Sequence, residues 1–322
     1  MSEPKSLQEA ILHFSNPDNC LKYLVARRWP KGVTCPTCGS EKITFNASRR
    51  IWQCSTHHPK RQFSVKVGTI FEDSAIGLDK WLAAIWMLTN CKNGISSYEL
   101  GRALKVTQKS AWFMLHRVRL ALHDENFGKL GGEVKADETY IGGAARFMHA
   151  DKKRKKIGGR TGWVGKVAVM GLLERHGGEV RTSVLPDLFQ STLQGRVEAN
   201  VELGSRVFTD NSSSYMGLNR EYIHAVIDHA ECYAKGNVHT NGLENFWSLL
   251  KRGIKGTYVS VEPFHLFRYL DEQSFRYNNR STKDEPVNDK DRFDRVVRQI
   301  VGKRLTWDKL TGKILPSETC PN

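Results

Sequence analysis

The chain has 322 residues, and 49 Lys and Arg against 34 Asp and Glu give it a formal net charge of +15. This length predicts two folded units with a small accessory module. A hydrophobic fraction of 39%, with eight Trp, excludes wholesale disorder. So large a basic excess favours contact with a polyanion, most commonly nucleic acid.

The apolar stretches of the sequence are too short to cross a membrane, which takes about 20 residues. The first residues also lack the basic and apolar segments of a secretion signal, so we expect no export. The chain has seven Cys, an odd number, and three of them lie close together. This pattern favours a reducing, cytoplasmic compartment and a local metal site.

Hydrophobic periodicity divides the chain into segments. Residues 1–30 are predicted to be helical, 31–70 to form short strands and tight turns, and 71–128 to form three helices, the middle one starting at a Ser96–Glu99 capping box. Beyond residue 129, strands are predicted at 134–141, 164–173, 179–185, 206–209 and 222–227, and helices at 193–201, 241–252 and 262–279. Residues 283–322 are predicted to be a helical tail. The fold class is therefore multidomain α/β.

A cysteine cluster indicates a metal site in residues 31–70. Cys35 and Cys38 form one pair and Cys54 and His57 a second, each separated by two residues. Two such pairs can surround one tetrahedral Zn²⁺, whereas buried cysteines with a chance spacing are the alternative. His58 is also at a permitted spacing, so His57 and His58 both stay open as the fourth ligand. Four protein ligands predict a structural zinc, and this basic ribbon is a candidate DNA-binding module.

The third helix of the 71–128 bundle is a candidate recognition helix. If Thr107 caps it, the face opposite its apolar stripe carries Lys109, Trp112, His116 and Arg119. A basic and aromatic face toward solvent is typical of a helix that enters the DNA major groove. An ordinary solvated helix face is the alternative.

Three carboxylates predict a second metal site. Asp137 lies within a predicted strand, Asp210 ends a buried strand, and Glu244 begins a helix. Because buried charge is costly, such carboxylates normally face a cation. Together they can hold two Mg²⁺ or Mn²⁺ ions about 4 Å apart, as in phosphodiester chemistry. Glu138 should point to the opposite face of the strand from Asp137. Taken singly, each acid could instead be a capping or surface carboxylate.

The motifs around these residues resemble the zinc-ribbon DDE transposases of bacterial insertion sequences. They are Cys-Pro-Thr-Cys at 35–38, DETYIGG at 137–143, VFTD at 207–210 and HTNGLENFWSLLKRG at 239–253. The resemblance implies an RNase H-like catalytic domain at 129–282, after a zinc ribbon at 31–70 and a helix-turn-helix-like bundle at 71–128. It also implies that Asp137, Asp210 and Glu244 are the metal-binding triad. Where relatives have a fourth Cys, this chain has His57 or His58.

The resemblance further implies the partners of the chain. The substrate would be double-stranded DNA, namely the element's terminal inverted repeats and the target DNA. The assembly would be a homodimer or a larger synaptic complex, located with the bacterial nucleoid.

Further basic residues and two histidines are candidate DNA contacts. The predicted phosphate contacts are Lys152, Lys153, Arg154, Lys155, Lys156, Lys251 and Lys255. For residues 152–156, a merely solvated charge run is the alternative. His229 and His239 could contact the scissile phosphate or serve as core or capping histidines.

Three functions compete at this point. A transposase would nick the element's ends with metal-activated water and join the freed 3′-hydroxyl to target DNA. A non-enzymatic zinc-ribbon regulator would leave three well-placed acids without a purpose. A stand-alone RNase H-like nuclease would leave two DNA-reading modules unexplained. The sequence therefore favours the transposase.

Overall fold

The computed structural model describes residues 3–123, 128–142, 150–151, 154, 165–210, 212–226 and 241–313. The chain divides into two compact units. The first combines Met1–Asp124 with Asn279–Asn322, and the second is Glu125–Asn278. The C-terminal segment, predicted as a separate tail, thus belongs to the same unit as the N-terminal helices.

The first unit begins with two capped helices and a small sheet. Helices α1 (Leu7–Phe14) and α2 (Pro17–Arg28) start at the side-chain caps Ser6 and Asn16. Strands β1 (Ile43–Asn46), β2 (Ile51–Cys54) and β3 (Gln62–Phe63) pair antiparallel in that order. These are the helices predicted within residues 1–30 and the short strands predicted within 31–70.

Three helices follow in the same unit. They are α3 (Leu78–Asn90), α4 (Ser97–Leu104) and α5 (Gln108–Leu122). Ser96 and Glu99 form the predicted capping box at α4. The Thr107 hydroxyl accepts a hydrogen bond from the backbone N–H of Ser110 at 3.1 Å, so α5 begins where the sequence predicts.

The second unit contains a five-stranded mixed sheet and three α-helices among its described residues. Its elements are β4 (Glu133–Ile141), β5 (Val167–Glu174), β6 (Val180–Leu185), α6 (Gln190–Asn200), β7 (Arg206–Thr209), β8 (Ile223–Val226), α7 (Asn241–Gly253) and α8 (Leu266–Asn278). The strand order is β6-β5-β4-β7-β8. Strands β4, β5 and β6 pair antiparallel, whereas β7 lies parallel to both β4 and β8. A π-helical turn, Ile254–Tyr258, follows α7 directly.

Alternation along the strands gives this sheet two apolar faces. One carries Val134 and Ala136 of β4 and packs against α6 and the segment containing Tyr215. The other carries Ile141 and packs against α7 and α8. Since successive strand residues point to opposite faces, Asp137 lies on the α7 face and Glu138 on the α6 face.

The chain then returns to the first unit through α9 (Asp289–Arg298) and α10 (Trp307–Leu310). Phe293 of α9 is fully buried, and its ring lies 5.9 Å from Phe14, 5.7 Å from Tyr23 and 5.0 Å from Trp86 between centroids. This burial explains why the C-terminal segment is part of the first unit.

The structure is thus mixed α/β, with a cysteine-histidine cluster near the N-terminus and a sheet-containing second unit. The RNase H-like classification stays a prediction. No helix in the described ranges is both long enough and apolar enough to span a bilayer.

Candidate functional site

Three cysteines and one histidine of the ribbon form a compact metal-ligand cluster. One ligand atom from each of Cys35, Cys38, Cys54 and His58 lies within 4.8 Å of all the others. Cys35 Sγ is 3.4 Å from His58 Nε2, and the Sγ atoms of Cys38 and Cys54 are 3.7 Å apart. The first pair lies on a turn closed by a hydrogen bond from Gly39 N–H to the Cys35 carbonyl, and Cys54 ends β2. The donor set fits one tetrahedral Zn²⁺.

The histidine of this cluster is His58, the second of the two candidates that the sequence left open, and not His57. His57 is exposed, whereas His58 is half-buried beside the cysteines. His57 would repeat the two-residue gap of the first pair, but the chain turns through one more residue before an imidazole reaches the cysteines. The Nδ1 atom of His58 is 2.6 Å from the Pro59 carbonyl oxygen. If Nδ1 carries the proton and donates there, Nε2 is the atom that binds metal.

The electrostatics favour the metal-binding thiolate form at two of the three cysteines, whereas burial and the hydrogen bonds with Cys35 and Cys54 outweigh the backbone hydrogen bond from Ser40 and raise the pKa of Cys38. Burial raises the pKa of Cys54, but hydrogen bonds from His58 and from the backbone of Thr56 outweigh it and lower this pKa to about 6. Backbone hydrogen bonds likewise outweigh burial and lower the pKa of Cys35. Thiolates are the ligands that zinc requires.

Two of the three predicted acids come from neighbouring strands of the second unit. Val134 pairs with Val207, and Lys135 with Phe208, in the parallel ladder between β4 and β7. Extending this register by two residues places Asp137 of β4 beside Asp210, which directly follows β7. Both are half-buried. The third acid, Glu244, lies in the first turn of α7 and is exposed.

The charge of Lys135 interacts with all three acids. Burial lowers the pKa of its ammonium. The negative charges of three carboxylates oppose this lowering of the Lys135 pKa. They belong to Asp137, Glu244 and Asp210, so all three acids lie within electrostatic reach of Lys135. The three acids lie farther apart than the four ligands of the ribbon. Among the described residues, only the ribbon cluster brings three or more potential metal-ligand atoms within 4.8 Å of one another.

Glu138 has a different environment on the α6 face. Its carboxyl group accepts a hydrogen bond from the hydroxyl of Tyr215, which is fully buried. Burial, reinforced by the charges of Asp210 and Asp137, raises the pKa of Glu138 to about 8. In the absence of bound metal, Glu138 is therefore mostly protonated at neutral pH.

Sequence reasoning missed two residues that contact or adjoin Asp137. Trp247 of α7 donates a hydrogen bond from Nε1 to Asp137 Oδ2 at 3.0 Å. Gly171 of β5 lies directly opposite Asp137, and a Cβ added to it would lie 2.6 Å from Trp247 Cζ2. The sequence did contain one indication of this contact, which is Gly171. An isolated glycine within a strand often marks a position where another part of the protein comes close to the backbone.

The predicted recognition face of α5 is largely covered. His116 is 0% exposed and Arg119 1%, so neither forms part of the solvent-facing surface that the sequence predicted. Trp112 is half-buried, with its ring 5.8 Å from that of Trp307 in α10. Only Lys109 is exposed, and its Nζ lies 4.5 Å from the centre of the Trp307 ring. The prediction failed because a distant C-terminal helix packs on this face.

The other predicted DNA contacts divide into three groups. Lys255 is exposed and Lys251 half-buried on and just after α7. Arg154 is exposed and pairs with Asp151 at 3.0 Å. Outside the described residues lie Lys152, Lys153, Lys155, Lys156, His229 and His239.

Comparisons with known proteins identify the family. The family model described as the ISXO2-like transposase domain matches residues 129–278, and the transposase zinc-ribbon domain matches residues 15–56. A transposase-like protein of Haemophilus influenzae is 32% identical over 108 residues, which cover 33% of this chain and 87% of that protein. The chain belongs to this family of insertion-sequence transposases.

Two proteins of lower sequence identity match longer parts of the transposase. A protein in the transposable element ISH50 of Halobacterium salinarum is 28% identical over 253 residues, covering 75% of this chain and 84% of that protein. Among solved structures, the transposase is similar to a chain in the simian T-cell lymphotropic virus intasome bound to PP2A regulatory subunit B56 gamma. That match has 14% identity, a TM-score of 0.29, and coverage of 56% of this chain and 62% of the other, which is less than two thirds of its length. A similarity this low supports no inference about fold.

Proposed function

We propose that this transposase binds the terminal inverted repeats of its element, hydrolyses a phosphodiester bond at each end, and joins the freed 3′-hydroxyl to target DNA by transesterification. The observation that carries the proposal is the position of Asp137 beside Asp210 on neighbouring strands, with Glu244 in the first turn of the helix whose Trp247 contacts Asp137, in the domain that matches the transposase family. The RNase H-like fold is part of this proposal, supported by the mixed sheet with a helix that carries the third acid.

The three acids would hold two Mg²⁺ or Mn²⁺ ions. Oδ1 of Asp210 is buried and, among the described residues, has no hydrogen-bond partner. A carboxylate oxygen in that state is costly unless a cation faces it, so the donor set fits a hard divalent ion. When bound, such ions activate a water or hydroxyl and stabilise the leaving oxygen.

The geometry of the acids suits ions shared between carboxylates. Asp210 lies beside Asp137 on the neighbouring strand, and Glu244 lies in the first turn of α7, whose Trp247 contacts Asp137. The three acids would hold the two ions between them. They therefore need not lie as close to each other as the four ligands of a single-ion site.

One edge of α7 leads from the acids to cations that would hold DNA. Glu244, Ser248 and Lys251 follow at helical spacing, and Lys255 lies four residues further on, in the π-helical turn after α7. Lys251 is close enough to Asp137 for that carboxylate to oppose the burial-driven lowering of the Lys251 pKa. Seven helical residues span roughly 10 Å, about the rise of three nucleotides in one strand. We assign Lys251 and Lys255 to phosphates next to the scissile one.

The first unit would supply sequence recognition. The ribbon cluster would hold one structural zinc through Cys35, Cys38, Cys54 and His58, because four protein ligands leave no position for a reacting water.

Basic residues of both units remain candidate phosphate contacts. Lys109 of the first unit and Arg154 of the second are exposed, and the remaining candidates lie outside the described ranges. Ends held together for joining would require at least two copies of the chain.

The experiment is cleavage of a labelled duplex that carries the element's end, in Mg²⁺ or Mn²⁺, with strand transfer to target DNA scored in the same reaction. Alanine at Asp137, Asp210 or Glu244 should each abolish both steps and leave end binding intact. Glu262→Ala is the matched control, since Glu262 is an exposed acid of the same unit. Near-normal cleavage by the Asp137 or Asp210 variant would remove the two-ion mechanism, and cleavage without strand transfer by the unaltered chain would favour a nuclease.

A further inference from the structure

The indole of Trp247 donates a hydrogen bond to Asp137, and close packing holds its ring in place. Trp247 is 5% exposed, and its ring packs against that of Phe246 at 5.1 Å within the core between the sheet and α7. An indole N–H can only donate, and a packed ring has few ways to turn. The bond of 3.0 Å to Asp137 Oδ2 therefore fixes the plane of that carboxylate.

Gly171 makes this contact possible. It is the residue directly opposite Asp137 in the antiparallel pair of β4 and β5. A Cβ there would lie 2.6 and 2.9 Å from two carbons of the Trp247 ring and 3.0 Å from Leu243 Cδ2. The indole thus occupies the space that a side chain at position 171 would fill, and this lets its N–H reach the neighbouring strand.

The same bond links two acids of the proposed metal site. Trp247 and Glu244 are three residues apart on α7, one facing the sheet and the other exposed. A donor from α7 to Asp137 sets where the helix lies along β4, and therefore where Glu244 lies relative to Asp137.

We propose that Trp247 is a positioning residue for the metal site: its indole N–H orients the Asp137 carboxylate and holds α7 in the register that brings Glu244 to the same ions. This inference rests on the proposed function, because it requires Asp137 to bind a divalent ion. Removing a hydrogen bond of this kind to a metal ligand typically weakens metal affinity or activity by about 10–100-fold.

The test is Trp247→Phe, which keeps most of the ring and removes the donor. The matched control is Tyr277→Phe, which removes a hydrogen bond of 3.3 Å in the same core, from the Tyr277 hydroxyl of α8 to the Gly242 carbonyl of α7. Full-length, zinc-loaded chains are titrated with Mn²⁺ alone, and free Mn²⁺ is counted by its electron paramagnetic resonance signal. Asp137→Ala defines the binding that belongs to the site.

We expect Trp247→Phe to weaken the Asp137-dependent Mn²⁺ affinity at least about tenfold and to raise the Mg²⁺ concentration for half-maximal cleavage, with end binding unchanged. Tyr277→Phe should leave both quantities at the wild-type value. Unchanged Mn²⁺ affinity in Trp247→Phe, or an equal loss in Tyr277→Phe, would overturn the positioning role while leaving the metal site in place. If the unaltered chain has no Asp137-dependent Mn²⁺ binding, the proposed metal site fails together with this inference.

Discussion

Replacing Gly171 with alanine would disturb the packing of α7 on the sheet, and the structure gives the size of the resulting steric overlap. The added Cβ would lie 2.6 Å from Trp247 Cζ2, whereas packed carbon atoms lie about 3.5–4.0 Å apart. The indole must therefore retreat by about 1 Å. A movement of that size lengthens the bond of 3.0 Å between Trp247 Nε1 and Asp137 Oδ2 beyond the limit of a hydrogen bond.

The expected loss of stability follows from three contributions. Overpacking a core costs about 1–3 kcal/mol, and losing a hydrogen bond to a charged group costs about 1.5–3 kcal/mol. Alanine also reduces the conformational entropy of the unfolded chain, which offsets about 0.4–1 kcal/mol of the lost stability. The net loss in the free energy of unfolding is about 2–5 kcal/mol, which lowers the Tm of a unit of this size by at least about 4 °C.

The assay is calorimetric unfolding of the full chain, with Gly195→Ala as the control. Gly195 lies within α6 of the same unit, and a Cβ there meets nothing within 4 Å. Alanine at a helical glycine with open space should stabilise by about 0.5–1 kcal/mol. Gly171→Ala should therefore lower the Tm of this unit, and Gly195→Ala should raise it. A Gly171→Ala chain as stable as the unaltered protein would refute the packing argument.

Three further results are expected. Cys38→Ser and His58→Ala should each lower bound zinc well below one equivalent, by metal analysis of the purified chain, whereas His57→Ala should retain it; equal losses from both histidines would contradict the assignment of the ligand. Phe293→Ala should cost about 3–5 kcal/mol in denaturant unfolding of the first unit, since that ring is fully buried. The exposed Tyr98→Ala, its control, should cost little, and similar values for the two would be inconsistent with docking of the C-terminal segment. Raising salt should weaken binding to the element's end steeply, and binding insensitive to salt would argue against phosphate contacts.

Local signals account for what the sequence predicted well. The caps at Ser96 and Thr107 fix the starts of α4 and α5 through bonds to residues three positions away, which any reading of the sequence can find. Strand alternation likewise separates Asp137 from Glu138 without any knowledge of what packs on either face. Such features depend only on neighbours along the chain.

What the sequence could not give depends on residues far apart in it. The partial burial of Trp112 on α5 follows from its contact with Trp307 of α10, which comes 195 positions later in the chain. Trp247 and Asp137 are separated by 110 positions, so their hydrogen bond follows from the tertiary packing of α7 and not from any local pattern. The zinc ligand His58 differs from His57 by the path of a single turn, which spacing alone left open.

Asp137 and Glu138 are adjacent acids whose surroundings assign them opposite roles. Asp137 accepts an indole N–H and lies within electrostatic reach of Lys135 and Lys251, on the face of the sheet that carries the proposed metal site. Glu138 lies among apolar side chains and accepts the Tyr215 hydroxyl, and its raised pKa favours the neutral acid. Amide substitutions keep the size of each group and remove only the ionisable oxygen. Asp137→Asn should therefore abolish cleavage of the end duplex, whereas Glu138→Gln should leave it near normal, because the amide oxygen still accepts from Tyr215. An inactive Glu138→Gln beside an active Asp137→Asn would mean that the metal lies on the α6 face, since a strand places adjacent residues on opposite sides of the sheet.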